Sequence, residues 1–429
     1  MSDLRPRTNR SSRGRSAPTS TIARHGRLKK PSPFGTLGKI LAATLGVVLV
    51  SGFSIAAIAT WDVSSSLKKS VHLVDASGNT IVPQIGAMDG AFNVLLAGSD
   101  SGGGNAAYGV RGENLNDVTM LLHVSADHQN ATVVSFPRDM YVPIPSCPKP
   151  HGGSFSAMSN QKINTTLTYG GLPCTVLTVQ KLTGLTIPFA AVIQFDGVIQ
   201  MSNAVGGVTV CVAGNIVDPY TGLNVKAGQN TLQGAQALAF LRTRHGVGDG
   251  SDLGRISNQQ VFLSSLVRTI KSADTLSNPA KVYGIAKAAA SNMTLSDSLN
   301  NLSTIASMAI AMKNINLNNM VFVQYPNHYV ADGVAPTVNS ATKLVTALQN
   351  DQPISLTGNT GVGSVADPNA PAATTPPSAG PSAGTGSSGG AGTSTSTAAP
   401  SPTGSSVPLP SDVQGQTAGQ YTCSKPFSG

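Results

Sequence analysis

TMLLHVSADHQNATVVSF, residues 119–136, contains the clearest strand signal in the chain. Two apolar runs, Thr119–Val124 and Thr132–Phe136, flank the polar turn SADHQN, and this pattern is typical of a β-hairpin. An earlier apolar run, Asn93–Ala97, ends in the Gly-rich loop GSDSGGG, so it predicts a buried strand followed by a loop. Together these runs predict the first strands of a β-sheet.

Helix and strand patterns are interleaved through the rest of residues 89–350. Helices are predicted near 175–183, 196–204, 232–241, 252–272, 279–290, 297–313 and 337–349. Short strands are predicted near 190–194, 208–212 and 321–325. This order favours an α/β fold in which a mixed central sheet is sandwiched between helices on both faces.

Most of the net positive charge lies in a short N-terminal arm. Residues 1–35 contain nine of the 28 Lys and Arg residues and a single acidic residue, which leaves 19 basic against 18 acidic residues in the remainder. The arm has no aromatic residue before Phe34 with which to stack bases. A membrane-topology signal therefore explains its charge better than nucleic-acid binding.

An uncharged apolar run, Ile40–Trp61, follows the arm. A helix rises about 1.5 Å per residue, so this run spans roughly 33 Å and is long enough to cross a hydrocarbon core of about 30 Å. The preceding positive charge predicts a cytoplasmic arm over 1–39, a transmembrane signal-anchor helix over 40–61 and an extracytoplasmic remainder. A cleavable signal peptide is the competing interpretation, but the run exceeds the usual apolar length of about 7–15 residues.

Beyond the helix we predict a stalk over 62–88, a folded domain over 89–350 and a tail over 351–429. From Thr357 to Gln420 the chain has no Lys, Arg or aromatic residue and is rich in Gly, Ser, Thr and Pro. A segment of this composition cannot bury a core, so we predict that the tail is disordered.

Four cysteines lie on the predicted outer side, where disulfides persist. No CxxC pair is present, which argues against a zinc site. Of the three possible pairings we favour Cys147–Cys174, which closes a short loop, together with Cys211–Cys423, which would attach the tail to the domain.

Residues 237–260, ALAFLRTRHGVGDGSDLGRISNQQ, concentrate basic side chains in a chain that is only 11% charged. If Arg-Thr-Arg is extended, Arg242 and Arg244 point to one side because side chains alternate faces in a strand. Apolar residues then recur at helical spacing, and Gln260 falls within their stripe, so it should point inward.

Three arginines, Arg242, Arg244 and Arg255, together with an inward amide suit a multiply charged anion. Guanidinium groups match phosphate oxygens two at a time and stay charged where water is scarce. The alternative from this stretch alone is a basic helical surface above a hydrogen-bonded core glutamine.

Further polar candidates stand at the predicted strand ends. Asp100 follows the first strand and Asp117 precedes the second, where carboxylates can hold a hard cation, although aspartates in loops are also common turn formers. Arg138 and Asp139 follow the third strand and fit either a surface ion pair or part of a site. Lys162 fits either a helix start or a phosphate contact.

Six segments in this order resemble the LytR-CpsA-Psr (LCP) family of cell-envelope proteins and span about residues 93–263. They are NVLLAGSDS, NDVTMLLHV, TVVSFPRDMYVPIP, KINTTLTYGG, FDGVIQMSNAVGGVTVCV and LQGAQALAFLRTRHGVGDGSDLGRISNQQ. Members of this family have a cytoplasmic arm, one membrane helix and an extracytoplasmic α/β domain. The resemblance therefore implies the same membrane architecture.

The resemblance also implies a phosphotransferase that attaches a glycopolymer, carried on polyprenyl pyrophosphate, to peptidoglycan through a phosphodiester. It implies that Asp100 and Asp117 hold Mg²⁺ or Mn²⁺ against the pyrophosphate. Side chains implied to grip or approach the pyrophosphate oxygens are Arg138, Arg242, Arg244, Gln260, Lys162 and Arg255. An apolar groove beside the arginines would take the prenyl chain.

Two departures from the family pattern lower the local positive charge. Where the family has Arg-Ser-Asp-Thr this chain has 115–118 LNDV, so one arginine is missing and Arg111 would have to substitute. The family's Arg-Gln-Gln is 258–260 NQQ here. These changes motivate an alternative, a non-catalytic binder of polyprenyl lipids. A membrane-bound regulator acting through the basic arm is a second alternative.

Overall fold

The computed structural model describes residues 33–75, 78–80, 90–101, 113–149, 152–272, 275, 277–370 and 406–428. Its first element is helix α1, Pro33–Ser65. Residues Thr36–Ser65 are long and apolar enough to cross a membrane, and the apolar part of this helix is not buried in the protein. The predicted transmembrane segment, 40–61, lies within it.

The later helices among the described residues are 8 to 20 residues long. They are α2 Thr166–Thr183, α3 Phe195–Val205, α4 Ala235–Arg242, α5 Asp252–Lys271, α6 Pro279–Asn292, α7 Leu302–Lys313 and α8 Val338–Gln349. Each overlaps a predicted helix; α2 begins nine residues before the predicted start, 175, but its backbone is non-helical at Gly171, and the predicted helix lies after this kink. Two short 3-10 helices lie at Ile163–Thr165 and Leu317–Asn319.

The strands fall into one central sheet and several small ones. In chain order they are β1 Phe92–Ser99, β2 Asn116–Val124, β3 Ala131–Phe136, β4 Tyr141–Ile144, β5 Cys147–Pro148, β6 Ser154–Phe155, β7 Met158–Lys162, β8 Phe189–Ile193, β9 Val208–Val212, β10 Ile216–Asp218, β11 Leu223–Val225, β12 Gly228–Leu232, β13 Met293–Leu295, β14 Met320–Gln324, β15 Asn327–Val330, β16 Gly333–Pro336, β17 Ile354–Ser355, β18 Ser364–Ala366, β19 Val407–Pro408, β20 Gly415–Thr417 and β21 Thr422–Ser424.

The central sheet has seven strands in the order β13-β8-β1-β2-β3-β14-β20. β1 is parallel to β8 and β3 is parallel to β14, whereas the other neighbours are antiparallel. The predicted mixed sheet is therefore confirmed, and so is the predicted hairpin, in which β2 pairs with β3 from Val124 opposite Ala131.

One irregularity in this sheet affects the site. Gly98 of β1 lies opposite Val118 and the next residue, Ser99, lies opposite Asn116, so Asp117 is an extra residue in β2. Such a bulge bends the strand and redirects a side chain. The carboxylate of Asp117 is thereby placed at the end of the sheet.

Helices cover both faces of the sheet, as predicted. Alternate residues of a strand point to opposite faces, and Leu95 packs in one core with α2 and α8, while Leu96 packs in a second core with α5 and α7. Fully burying one such aliphatic side chain contributes about 1.5–3 kcal/mol. The two apolar layers fix the strand register and hence the positions of the strand ends.

A four-stranded sheet, in the order β12-β9-β21-β18, lies beside the domain core. The disulfide Cys211–Cys423 joins β9 to β21, and Cys147–Cys174 joins β5 to α2. Both favoured pairings are confirmed.

The predicted tail boundary needs correction. Residues 354–366 and 407–424 supply strands, of which β20 extends the central sheet at β14 and β21 pairs with β9. The open edges of β14 and β9 present unpaired backbone groups, to which a short strand adds without needing an apolar face. Composition alone cannot reveal such pairing. Residues 371–405 lie outside the described residues.

The predicted stalk, 62–88, is in part packed on the domain. Val71 bridges Ser296, and Val74 bridges Thr80. Leu73 is buried in the same core as α2. The bridge between Val74 and Thr80 is antiparallel, and residues 76–77 and 81–89 lie outside the described residues.

Candidate functional site

The candidate site lies where the carboxyl ends of β1, β3 and β8 meet the start of β2. Ligands of open α/β sheets bind outside the carboxyl ends of parallel strands, because the connecting loops leave a crevice there. The loop between α4 and α5 and the first turns of α5 face the same crevice. These elements bring together residues that are up to 138 positions apart, as in the pair Arg255 and Asp117.

Arg138, two residues after β3, is the centre of an ion-pair network. Its Nη1 donates a hydrogen bond to Asp117 Oδ1, and its Nε donates to Asp139 Oδ2 at 3.3 Å. Its backbone N–H donates to Asp252 Oδ2 at 3.2 Å. Burial alone would lower the pKa of Arg138, but the carboxylates of Asp117 and Asp139 outweigh burial and raise the pKa above its ordinary value. Arg138 is therefore a fixed positive charge.

Arg255, in the first turn of α5, is a second and more deeply buried cation, with 4% of its surface exposed. Its Nη2 donates to the backbone carbonyl of Asp117 at 2.8 Å and lies 2.5 Å from Asp252 Oδ1. Its Nε is buried and has no hydrogen-bond partner among the described residues. A buried N–H without a partner is costly, so it is a donor ready for a ligand oxygen.

Asp252 supports both arginines, and sequence reasoning missed it. The residue follows Ser251, whose hydroxyl accepts the N–H of Gly254 at 3.3 Å and caps α5. A carboxylate in the first helical turn is favoured by the helix dipole, and its spacing of three residues from Arg255 places the two side chains on one face. That spacing is the signal by which the sequence could have identified it.

Arg242 ends a helix and Arg244 follows the single extended residue Thr243, so the two do not lie along one extended segment. Arg242 is the last residue of α4, and its guanidinium carbon lies 4.2 Å from the centroid of the Phe195 ring. Thr243 is extended, but its hydroxyl bonds to the buried carboxylate of Asp218. The predicted extended Arg-Thr-Arg is therefore wrong, because the helix continues through Arg242.

The guanidinium group of Arg244 has no side-chain hydrogen bond or ion pair with any described residue. Burial and the positive charges of Arg138 and Arg255 lower the pKa of Arg244, and the carboxylates of Asp252 and Asp117 offset this in part. A half-buried cation that faces other cations gains the most from an incoming anion.

Lys162 lies at the edge of this network. Its Nζ is 3.3 Å from Asp332 Oδ2 and 4.0 Å from Asp139 Oδ1, and it lies over the Tyr141 ring at 5.5 Å. The residue precedes a short 3-10 helix without a side-chain cap. The network thus connects Lys162 to Arg138 through the carboxylate of Asp139.

An apolar cavity of about 200 Å³ adjoins the charged residues. Its polar lining includes Asp117, Arg242, Arg255 and Gln259. The apolar lining comes from β1, β2, α3, α4, α5 and α6, and includes Leu96, Val118, Val198, Leu238, Phe262 and Ile285. An apolar cavity therefore lies next to guanidinium groups. This arrangement suits an amphiphile with an anionic head group.

The structure distinguishes the two glutamines of the 258–260 segment. Gln260 is buried with 1% exposure, as predicted, and its Nε2 has no partner among the described residues, but it does not line the cavity. Gln259 lines the cavity and donates to the carbonyl of Leu241 at 2.9 Å. Because Gln259 is one helical turn from Arg255, it shares that face and is an additional candidate.

Asp100 and Asp117 lie at the ends of neighbouring strands, as the sequence predicted. Asp100 is buried, and its Oδ1 accepts the N–H of Leu115 at 2.8 Å. The carboxylate of Asp117 is 20% exposed and reaches the cavity. Carboxylate oxygens are the ligands that Mg²⁺ and Mn²⁺ prefer, so the chemistry of these two side chains is compatible with such an ion. Arg111 lies outside the described residues.

Comparison with known proteins gives a consistent family match. A model of the LytR_cpsA_psr family matches residues 56–352. The cell wall biosynthesis protein LcpA of Corynebacterium glutamicum is 31% identical over 315 residues, which cover 65% of this chain and 57% of that protein. The polyisoprenyl-teichoic acid–peptidoglycan teichoic acid transferase TagU of Enterococcus faecalis is 28% identical over 271 residues, covering 62% of this chain and 82% of that protein.

The fold has a counterpart among solved structures. The crystal structure of protein gbs0355 from Streptococcus agalactiae matches with a TM-score of 0.52 at 21% identity, covering 63% of this chain and 91% of that one. At that identity the match shows the fold alone. The match to LcpA spans less than two thirds of that protein's length.

Proposed function

This chain belongs to the LytR-CpsA-Psr family, and from that premise we propose that it transfers a glycopolymer from a polyprenyl pyrophosphate lipid onto peptidoglycan. Its relatives support the proposal, because one is named a cell wall biosynthesis protein and another a polyisoprenyl-teichoic acid–peptidoglycan teichoic acid transferase. The site must then hold a lipid tail, a diphosphate and a metal ion.

The observation that carries the proposal is the junction of an apolar cavity with unsatisfied cationic donors. The cavity of about 200 Å³ gives the first units of a prenyl chain a dry environment. In the described part of the chain Arg255 Nε has no hydrogen-bond partner, and the half-buried guanidinium group of Arg244 faces the positive charges of Arg138 and Arg255. A diphosphate that carries a prenyl chain would satisfy both features at once.

The reaction is a displacement at phosphorus. An acceptor hydroxyl of peptidoglycan attacks the phosphorus that bears the glycan, and the bond from this phosphorus to the bridging oxygen breaks. Polyprenyl phosphate leaves, and the hydroxyl proton passes to a carboxylate of the site. Catalysis of such a step is mostly positioning and neutralisation of charge, since little covalent chemistry remains for the protein.

Each arginine has a defined part in this proposal. Arg244 and Arg255 bind the phosphate oxygens. Arg242 stacks on the Phe195 ring and lines the cavity where it adjoins the phosphate site. Arg138 supplies a positive charge, because the carboxylates of Asp117 and Asp139 keep its guanidinium group protonated. Fixed guanidinium groups stabilise charge as it moves onto the leaving phosphate without reorganising during the step.

Asp117 and Asp100 would hold Mg²⁺ or Mn²⁺, which when bound neutralises the diphosphate and polarises its phosphorus–oxygen bonds. The two carboxylates differ in what they offer. Asp117 is partly exposed and reaches the cavity, whereas Asp100 is buried at the end of β1. Asp117 would therefore supply the ligand nearer to the substrate.

We also propose that the domain lies on the extracytoplasmic side of the membrane. The single described helix that could span a bilayer is α1, and the basic arm before it favours a cytoplasmic N-terminus. Two disulfides in the domain fit an oxidising compartment. A lipid-linked substrate in the same membrane can then reach the site on the side where peptidoglycan is located.

The test uses the full chain in detergent with Mg²⁺ and a short-chain prenyl pyrophosphate. Release of inorganic phosphate above background supports an enzyme, whereas binding without turnover supports the non-catalytic scaffold. A lipid-linked glycan with peptidoglycan as acceptor then tests transfer, and failure to form a phosphodiester under conditions where phosphate is released would refute the ligase assignment.

A further inference from the structure

The last described residues of the chain pair with the loop that follows Arg244. Phe427 N–H donates to the carbonyl of Gly246 at 2.9 Å, and Gly248 N–H donates to the carbonyl of Lys425 at 3.0 Å. Ser428 N–H donates to Gly248 at 3.1 Å. These three backbone hydrogen bonds make residues 425–428 a partner strand for the loop, and we call this segment the C-terminal clamp.

Glycines allow the clamp to approach closely. Gly250 has φ +79°, and a Cβ there would lie 3.1 Å from a ring carbon of Phe427. Gly248 has φ +60°, and a Cβ there would lie only 3.0 Å from Gly363 Cα and from the carbonyl oxygen of Val362. Positive φ and such contacts favour glycine. The loop is therefore shaped to receive the clamp.

The residues just before the clamp bind the helix that carries Arg255. Ser424 Oγ donates to Asn258 Oδ1 at 2.6 Å, and Asn258 Nδ2 donates to the carbonyl of Phe240 in α4 at 2.6 Å. Asn258 is fully buried. One amide thus joins α4, α5 and β21, and this position is one of the two where the chain departs from the family pattern.

The clamp lies beyond the part of the chain that matches the family, residues 56–352. It is held in place by the disulfide Cys211–Cys423 and by a buried hydrogen bond from Gln416 Nε2 to Ser264 Oγ at 2.8 Å. The anchoring contacts and the clamp together contact the loop that follows Arg244 and the helix α5 that carries Arg255.

We propose that the C-terminal clamp is a positioning element of the active site, which sets the location of Arg244 through the backbone of the 246–248 loop. The inference rests on the proposed function for its catalytic consequence. Arg244 makes no side-chain hydrogen bond to a described residue, so its backbone holds it in place. A small misplacement of a substrate-binding group costs up to about 100-fold in rate.

The sharpest test compares Phe427→Pro with Phe427→Ala in the full chain. Both lose the aromatic ring, but proline also lacks the N–H that donates to Gly246, and a fixed φ near −65° still suits a strand edge. We expect Phe427→Pro to lower kcat for prenyl pyrophosphate hydrolysis about 10-fold or more relative to Phe427→Ala, with nearly equal Tm. Hydrogen exchange of residues 244–248 should be faster in the proline variant.

A second comparison shows whether the effect passes through Arg244. Each substitution is repeated in an Arg244→Lys background, and groups that act at one place give non-additive effects. The penalty of the proline should therefore shrink in that background. A full, additive penalty would overturn the proposal, as would equal kcat and equal exchange in the two variants.

A chain ending at Ser424, compared with one ending at Ser428, provides an independent arm. The longer chain keeps all three clamp hydrogen bonds, whereas the shorter one keeps the disulfide and β21. If the longer chain hydrolyses no substrate, the proposed function fails. Hydrogen exchange then tests by itself whether the clamp positions the 244–248 loop. Faster exchange at 244–248 in the shorter chain supports the clamp, and unchanged exchange refutes it.

Discussion

The guanidinium group of Arg138 donates a hydrogen bond to the carboxylate of Asp117, so the exit of β3 is joined to the bulge of β2. Asp117 is also 3.8 Å from Arg255 Nη1. The carboxylate that we assign to the metal is therefore held by two arginines. A divalent ion at Asp117 would compete with them, and the displaced guanidinium groups would become free for phosphate oxygens.

Asp117→Asn should separate the metal role from the rest of the site. The amide keeps the size of the side chain but loses the charge, so we expect the Mg²⁺ concentration for half-maximal hydrolysis to rise at least about 10-fold. The measurement is a Mg²⁺ titration of phosphate release. Asp127→Asn, in the β2–β3 turn at the opposite end of the sheet, is the charge-matched control. An unchanged titration for Asp117→Asn would remove this residue from the metal site.

Chelation of divalent ions should slow turnover. EDTA removes the ion that neutralises the diphosphate, and the rate should return when Mg²⁺ or Mn²⁺ is added in excess. Phosphate release is measured before chelation, after it and after restoration. Indifference to EDTA would contradict the assignment of Asp100 and Asp117.

Arg244→Ala should affect catalysis without affecting folding. The guanidinium group has no partner among the described residues, so we expect a loss of about 100- to 1,000-fold in kcat with little change in Tm. Arg242→Ala should impair both, since it also loses the stacking on Phe195, which contributes about 0.5–2 kcal/mol. Lys343→Ala, exposed on α8, is the control for loss of one positive charge. Full activity of Arg244→Ala would refute its role.

Val198→Phe should narrow the cavity without touching the charged groups. Val198 of α3 lines the cavity, so a larger ring there should raise KM for long prenyl chains more than for short ones. Inhibition by inorganic pyrophosphate should stay the same, because that ligand has no tail. Val282→Phe, on α6 and 44% exposed, is the matched control. Equal KM shifts for long and short chains would argue against the cavity as the lipid site.

The stability of the domain should fall as pH decreases below about 6.5. Burial lowers the pKa of His123 from its ordinary 6.5, and the carboxylate of Asp351 offsets this in part. Between the folded pKa and 6.5 the unfolded chain binds the proton and the folded chain does not, so the free energy of unfolding decreases as pH falls through this window. His123→Asn should flatten the dependence of Tm on pH, whereas exposed His245→Asn should not. An equal decrease of Tm with falling pH in both variants would show that His123 is not the cause of the pH dependence.

Much of the molecule was predictable because the signals are local. The two apolar runs that flank a polar turn in 119–136 predicted the hairpin, and the uncharged run 40–61 predicted the long apolar helix. Carboxylates placed at strand ends fall at one edge of the sheet once the strand order is known. Asp100 and Asp117 could thus be identified from the sequence, whereas the role of Arg138 was implied by the family resemblance.

Other features depend on contacts between distant segments. The sequence alone indicated the main strands, the helices and the basic cluster, because periodicity and charge are properties of neighbouring residues or of composition. Tertiary structure alone decided that residues 407–424 complete two sheets, and that Gln259 rather than Gln260 reaches the cavity. Backbone groups at an open strand edge accept almost any short segment, so their partner is fixed by where the chain returns in space and not by its own residues.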